Sequence, residues 1–199
     1  MSRSAVCCLA FLIGLLCCAA SADTFTYLDE QGKSVTVAAK LVGEGQGALA
    51  LELSDGELRP VALGAVQRRE PGDDPDPDSP KDVLERLRQK FGEDKFRGAA
   101  DATYAIGVVL AEPLSKQNEN RAAGFLKKAA KFFKTVEGGF LDFMKNMKAE
   151  MHRPRYPLVI LIFETDDDFE KYAHEDTGGR GLSAGSILGY YNLLSNHLN

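Results

Sequence analysis

Cysteine is missing from everything beyond the first eighteen residues of this 199-residue chain: Cys7, Cys8, Cys17 and Cys18 are all there are. Past that stretch there is no thiol nucleophile, no disulfide and no thiolate metal site, so stability must come from packing. Histidine is scarce too, with only His152, His174 and His197. His174-Glu175 begins the HExxH pattern of a zinc-peptidase helix, yet position 178, where the second histidine would stand, is Gly178. His152 and His197 stand at no diagnostic spacing from it, and neither a GxxxxGK(S/T) loop nor a GxSxG elbow occurs. No catalytic residue and no metal ligand can be assigned. Basic residues are outnumbered, 24 Lys and Arg against 29 Asp and Glu for a formal net charge of −5, a sign that argues against a nucleic-acid partner.

Long apolar runs are also lacking. The longest, Ala5 to Ala20, is shorter than the roughly 20 residues needed to cross a bilayer. It follows Arg3 and precedes Ala20-Ser21-Ala22, the order of a charged region, a hydrophobic region and a small-residue cleavage site. We read residues 1–22 as a signal peptide cleaved after Ala22, in preference to an uncleaved anchor. A lipid-anchored Cys17 or Cys18 is disfavoured because Leu16 or Cys17, not a small residue, precedes each. The expected product is secreted or periplasmic and retains no transmembrane segment. Without Arg3 its formal charge is about −6, from 23 basic and 29 acidic residues.

Residues 23–70 alternate with period two between turn residues. Phe25 and Tyr27 precede Asp29-Glu30-Gln31-Gly32; Val35, Val37 and Ala39 precede a glycine-rich break at Gly43 to Gly47; Leu49, Leu51 and Leu53 precede Ser54-Asp55-Gly56; Val61, Leu63 and Val66 follow. Four or five short strands of this kind are expected to close into a small barrel that leaves no long open edge. Thr26-Tyr27-Leu28-Asp29, Gln31-Gly32-Lys33, the run Val35 to Gly43 and Pro60-Val61-Ala62-Leu63 resemble the Sla-type homology domain, an SH3-like barrel frequent behind bacterial signal peptides. This copy departs from it in having Phe25 near the place where an aromatic residue, often tryptophan, is usual. The resemblance implies recognition of an unidentified protein or peptide ligand; a spacer with no ligand is the competing reading.

Residues 71–80 form a proline and aspartate linker, stiff because each proline restricts itself and its predecessor. Asp74, Asp76, Asp78 and Glu85 match four positions of a calcium loop, but Ser79 stands where that loop needs glycine, so a solvated linker is the reading. Residues 81–199 are expected to be an α/β (α+β) domain. Ser79-Pro80 caps a helix with Val83, Leu84, Leu87 and Phe91 on one face, and Tyr104 to Leu110 alternates large with small side chains as a strand. Asn118 to Met147 carries a stripe through Phe125, Phe132, Val136, Phe140 and Phe143 above a lysine-rich face. A core-packed helix, kinked or broken at Gly138-Gly139, is expected here in preference to a membrane-surface helix. Leu158 to Phe163 reads as a central strand apolar on both faces, and Thr165 caps a helix containing Phe169 and Tyr172. Gly179 to Ala184 fits a loose dinucleotide fingerprint, discounted because a helix and not a strand precedes it.

This order of elements, with Pro157 to Phe163, Phe169-Glu170-Lys171-Tyr172, Gly189-Tyr190-Tyr191 and Asn196, is similar to the N-terminal half of the domain-of-unknown-function family 1570, whose members resemble gluzincin-type zinc metallopeptidases. The resemblance implies a peptidase-like domain incomplete at its C-terminus, with Tyr190, Tyr191 and Asn192 lining a substrate groove. It implies zinc only if the chain continues past Asn199. The competing reading is a non-catalytic extracytoplasmic binding or structural protein. The intact mass of the exported protein is expected to match a chain beginning at Asp23, and its melting temperature to be unchanged by dithiothreitol; a reductant-dependent shift of several degrees would contradict a mature chain free of disulfides.

Overall fold

The computed structural model describes residues 23–73, 75–177 and 189–199. The expected leader and its cleavage site, Asp74 of the calcium-type template, the glycine-rich loop with its dinucleotide-like match, and Ile187-Leu188 of the last expected strand lie outside the described residues. Within them the chain is an α+β protein with two five-stranded sheets and three α-helices.

The first sheet holds β1 (Asp23–Leu28), β2 (Ser34–Gly45), β3 (Ala48–Glu52), β4 (Leu58–Ala62) and β5 (Val66–Glu70), with a 3₁₀ turn at Leu63–Ala65 before β5. Its spatial order is β4-β3-β2-β1-β5 and every pairing is antiparallel. Turn chemistry sets the register. Asp29 Oδ1 accepts from the amides of Gln31 at 3.0 Å and Lys33 at 2.8 Å, and Gln46-Gly47, at φ 52° and 77°, makes the two-residue turn between β2 and β3. A register shift between Leu41 and Gly43 bends β2, so that its first half pairs with β1 and its second with β3.

Inward alternation buries Phe25, Tyr27, Ala39, Leu49, Leu51 and Val61 in one cluster, and each large side chain there contributes roughly 1.5–3 kcal/mol. Closure, however, does not follow. Among the described residues the sheet does not join its ends: β4 and β5 remain edges. Period-two patterning specifies which face is buried but not whether the last strand meets the first. The β4 edge is instead blunted by sequence. The amide of Leu58 points away from β3 and donates to the Leu194 carbonyl at 2.6 Å, and the next position of the same parity is Pro60, which has no amide to offer.

The second sheet comprises β6 (Phe96–Ala100), β7 (Tyr104–Val109), β8 (Leu158–Phe163), β9 (Tyr191–Asn192) and β10 (His197–Leu198), ordered β6-β7-β8-β10-β9. β7, β8 and β10 run parallel, while β6 and β9 are antiparallel edges. Every residue of β7 is buried. Ala105, Val109, Val159 and Leu161 face α1 (Pro80–Phe91) and Tyr172 of α3 (Asp166–Asp176); Tyr104, Ile106, Val108 and Ile160 face α2 (Lys116–Asn146). Gly107 and Gly98 lie opposite each other on β7 and β6 because neighbours occupy the space of a side chain: a Cβ on Gly107 would meet the Phe96 ring at 2.5 Å, and one on Gly98 would meet Leu84 at 2.7 Å.

Capping boxes at Ser79-Asp82 and Ser115-Asn118 start α1 and α2, and Thr165 caps α3 through the Asp168 amide. Two expectations for α2 fail. The helix runs unbroken for 31 residues through Gly138-Gly139; about 1 kcal/mol per glycine does not outweigh an otherwise continuous ladder of backbone hydrogen bonds. The stripe is also only half covered: Ala122 and Leu126 are buried and Phe133 joins the core, whereas Phe132, Val136, Phe140 and Phe143 are exposed. Periodicity defines an apolar face without saying how far the partner sheet extends beneath it.

A polar clasp joins the two sheets. Arg86 of α1 pairs with Asp78 and, at 2.9 Å, with Asp55 of the β3–β4 turn. The Asp78 amide donates to the Ser54 carbonyl at 2.7 Å, and the Asp78 carboxylate accepts from Ser54 Oγ at 3.0 Å, so this end of the linker is strapped to the first sheet. Tyr156 donates its hydroxyl to Glu52 at 2.6 Å and covers Gly56, whose φ is 88°. A Cβ at position 56 would sit 2.8 Å from Tyr156 Cγ. Gly56→Ala is therefore expected to cost about 1–3 kcal/mol from backbone strain, with displacement of the tyrosine adding to it. Gly64→Ala, in open space, is expected to stay within about 0.5 kcal/mol; urea denaturation of the two variants gives the comparison.

Candidate functional site

Two places concentrate side chains that could act on a ligand. The first lies at the C-terminal end of α3, where β9 and β10 bring in residues 190–199. Asp176 is its hub. Its carboxylate accepts from the Tyr190 hydroxyl at 3.0 Å and from Asn192 Nδ2 at 2.8 Å, and Asn192 Nδ2 also reaches the Asp176 carbonyl at 3.0 Å. Asn192 Oδ1 accepts from the Leu194 amide, which fixes the amide orientation and starts the β9–β10 turn. Tyr190 exchanges both backbone hydrogen bonds with Asn199, at 2.9 and 2.8 Å. Of the three residues expected to line a groove, Tyr190 and Asn192 thus turn inward and anchor the strand to α3. Tyr191 is half exposed, with its hydroxyl donated to Asn196 Oδ1 at 2.8 Å.

Beside this hub the Tyr172 hydroxyl lies 2.7 Å from His197 Nδ1. Burial pushes the Tyr172 phenol up, and the nearby Asp176 carboxylate pushes it further; Tyr190 is raised by burial and Asp176 in the same way. Loss of solvation lowers the His197 pKa, an effect that Lys90 and Arg86 reinforce and that Asp176 and Asp55 oppose. The hydrogen bond thus joins a neutral phenol to a neutral imidazole. Lys90 sits 4.6 Å from the centre of the Tyr172 ring and 3.7 Å from Glu175. With both titratable partners neutral and each carboxylate paired, the cluster resembles a structural lock between α3 and the sheet edge more than a poised acid–base pair. His174 is exposed one residue before Glu175. Among the described residues no group of three or more His, Cys, Asp or Glu side chains is placed to hold a metal ion.

The second place is a cleft of about 620 Å³ in the first sheet, where the ends of β1 and β2 approach β4. Tyr27, Leu28, Val35, Val61 and Ala62 supply an apolar floor, and Asp29 and Glu30 form an acidic rim. Arg59 closes one end, donating to the Tyr27 hydroxyl at 3.1 Å and to Glu57 at 2.8 Å. β1 and β4 therefore meet here through side chains, not through a backbone ladder, which leaves the concavity open. Leu28 is 38% exposed within it. Alternation marked Tyr27 and Val61 as core, but nothing in the residue order reveals that Arg59 would bridge to Tyr27. Asp176 was likewise invisible as a hub, because its partners are fourteen and sixteen residues away on another element.

No protein-family model, curated protein or solved structure matches the chain.

Protonating His197 is harder in the folded than in the unfolded protein, where its pKa is near 6.5. The folded state binds fewer protons in that window, so stability is full above about pH 6.5 and falls as pH drops toward the lower folded value. The melting temperature of the parent is expected to fall between pH 7.5 and 5.5, and that of His197→Asn to fall less; parallel slopes would remove His197 as the source.

Proposed function

We propose that this chain is a non-catalytic extracytoplasmic binding protein, in which the N-terminal sheet is an SH3-like module that takes an extended peptide and the second sheet with its helices braces it. The observation that carries this reading is the open cleft between β1, β2 and β4. Its volume and lining, an apolar floor with few polar groups at the rim, are those of a ligand site. The strand order β4-β3-β2-β1-β5 with a 3₁₀ turn before β5 supports the SH3-like comparison. Pro60 denies an incoming segment a continuous backbone ladder along β4, so the peptide seats through its side chains. Leu28, Val61 and Ala62 favour apolar side chains, and Asp29 with Glu30 favours a basic flank.

A second reading makes residues 81–199 the N-terminal part of a gluzincin-type peptidase. The antiparallel edge strand β9 beside the parallel set favours it, with Tyr191 as the wall of a groove and the zinc ligands outside this sequence. For the chain as it stands, casein is expected to remain uncut in the presence of zinc; chelator-sensitive turnover would establish the peptidase reading instead.

The binding reading is tested by fluorescence polarisation with a labelled decapeptide of alternating leucine and proline ending in two arginines. Saturable binding is expected. Glu30→Lys should weaken it about fivefold or more, and Leu28→Asp should abolish it; because both side chains are exposed, the folded state should be unaffected. Binding that ignores both substitutions would place the peptide elsewhere and remove the cleft from the proposal.

A further inference from the structure

α2 is longer than the sheet it crosses. Phe133 already lies beside Tyr104, the first residue of β7, with ring centres 6.1 Å apart, and Lys134 reaches Asp101 at 2.7 Å. The stretch from Lys134 to Asn146 therefore carries the helix about 20 Å past the end of the sheet at 1.5 Å per residue. Yet Leu158, which opens β8, pairs with Tyr104 and donates its amide to the Thr103 carbonyl at 2.9 Å. The chain between them has to double back along the projecting end of α2. The reversal is fixed at Lys148, whose φ is 55°. Its amide donates to the Lys145 carbonyl and the Ala149 amide to the Met144 carbonyl, both at 3.0 Å, which closes the helix in a Schellman motif. Such a motif sets the residue after the reversal, here Ala149, against the side chain of Met144. From Leu141 to Arg155, Met144 and Ala149 are the only positions partly shielded from solvent. The returning segment thus starts over the Met144 side of α2 and leads Met151 and His152 back beside it.

We propose that Met144, Met147, Met151 and His152 form a binding site for a soft monovalent cation, Cu(I). These are the only methionines after Met1, joined by one of the three histidines. Met144 and Met147, three residues apart at the end of the helix, share a face with Cβ atoms about 5–6 Å apart. None of the three methionines packs into a core cluster of the described residues, and Met147 and Met151 are 66 and 44% exposed. His152 is exposed too, and among the described residues no hydrogen bond or ion pair holds its ring. Donor chemistry selects the metal. Thioether sulfur is a soft, uncharged ligand that prefers Cu(I), imidazole also accepts copper, and the unbranched methionine side chain adapts to the metal without moving the backbone. Charge makes the same choice. Between Leu141 and Arg155 the chain carries Lys145, Lys148, Arg153 and Arg155 against Asp142 and Glu150, a net +2, which repels a divalent ion twice as strongly as a monovalent one. No thiol beyond Cys18 competes for the metal.

The test titrates the mature chain, carrying carbon-13 at its methionine methyls, with Cu(I) kept reduced by ascorbate under anaerobic conditions. The methyl signals of Met144, Met147 and Met151 are expected to shift together and to saturate at one Cu(I) per chain; Ag(I) should reproduce the pattern and Zn(II) should move none of them. In competition with bicinchoninate, the double variant Met147→Leu, Met151→Leu should bind Cu(I) about tenfold or more weakly, whereas His174→Asn should leave the affinity unchanged. Leucine keeps the size and apolar character of methionine at two exposed positions, so the fold should persist, with circular dichroism as the check. Methyl signals that stay still, an unchanged affinity in the double variant, equal shifts with Zn(II), or loss of binding in His174→Asn would each overturn the proposal.

Discussion

The parallel pairing of β7 with β8 is the constraint on which the second half of the molecule depends. Six consecutive residue pairs, Tyr104 with Leu158 through Val109 with Phe163, align two strands that have almost no polar side chain to offer water. Two parallel neighbours cannot be joined by a tight turn, so a long crossover is obligatory, and α2 is that crossover. Because both faces of the pair are apolar, helices must cover both. α1 and α3 take one face, where Phe91 contacts Phe96, Phe163 and Tyr172; the Phe96 ring fills the space above Gly107, and Leu84 that above Gly98. The glycines on β6 and β7 are thus as much a part of the core as the side chains that lie over them.

Elements with strong local signals were legible in the residue order, and elements defined by their partners were not. β7 and β8 announce themselves by composition, and α1 by Ser79, Pro80 and its C-terminal Gly92. β6, with the sequence Phe-Arg-Gly-Ala-Ala, has little strand character of its own; it is a strand because Leu84 and the β7 ladder hold it there. β9 and β10 are two residues each and exist through His197 pairing with Val159 and Asn192. The α2 stripe was legible as apolar but not as half covered, because coverage is a property of the sheet beneath it. For the first sheet, the inward rows were readable at Phe25, Leu49 and Leu51, while the gap between β4 and β5 was not.

Electrostatics in this chain works more to position elements than to prepare chemistry. Asp23, buried at the start of β1, is neutralised by Arg69, whose guanidinium also lies 5.4 Å from the centre of the Phe25 ring. Asp176 gathers Tyr190 and Asn192, and Arg86 gathers Asp55 and Asp78. In each case one charged group sets the placement of a short or irregular segment that has too few backbone hydrogen bonds to place itself. Such pairs add little stability where solvent reaches them, but each discriminates between competing placements of the same segment.

The clasp between the sheets has a consequence for the order in which the molecule can assemble. Asn196 Nδ2 reaches the carbonyls of Asp55, at 3.4 Å, and Pro157, at 3.2 Å, while β10 adds to β8 from 38 residues further along the chain. The first sheet needs only neighbouring hairpins and the return of β5 to β1, so its loops are short to close. The second cannot complete its parallel set, nor the junction its last ties, until residues 196–198 have left the ribosome. The first sheet can therefore form before β10 is available, and residues 196–198 then add the third parallel strand and the Asn196 ties to a junction that Arg86, Asp78 and Tyr156 already span.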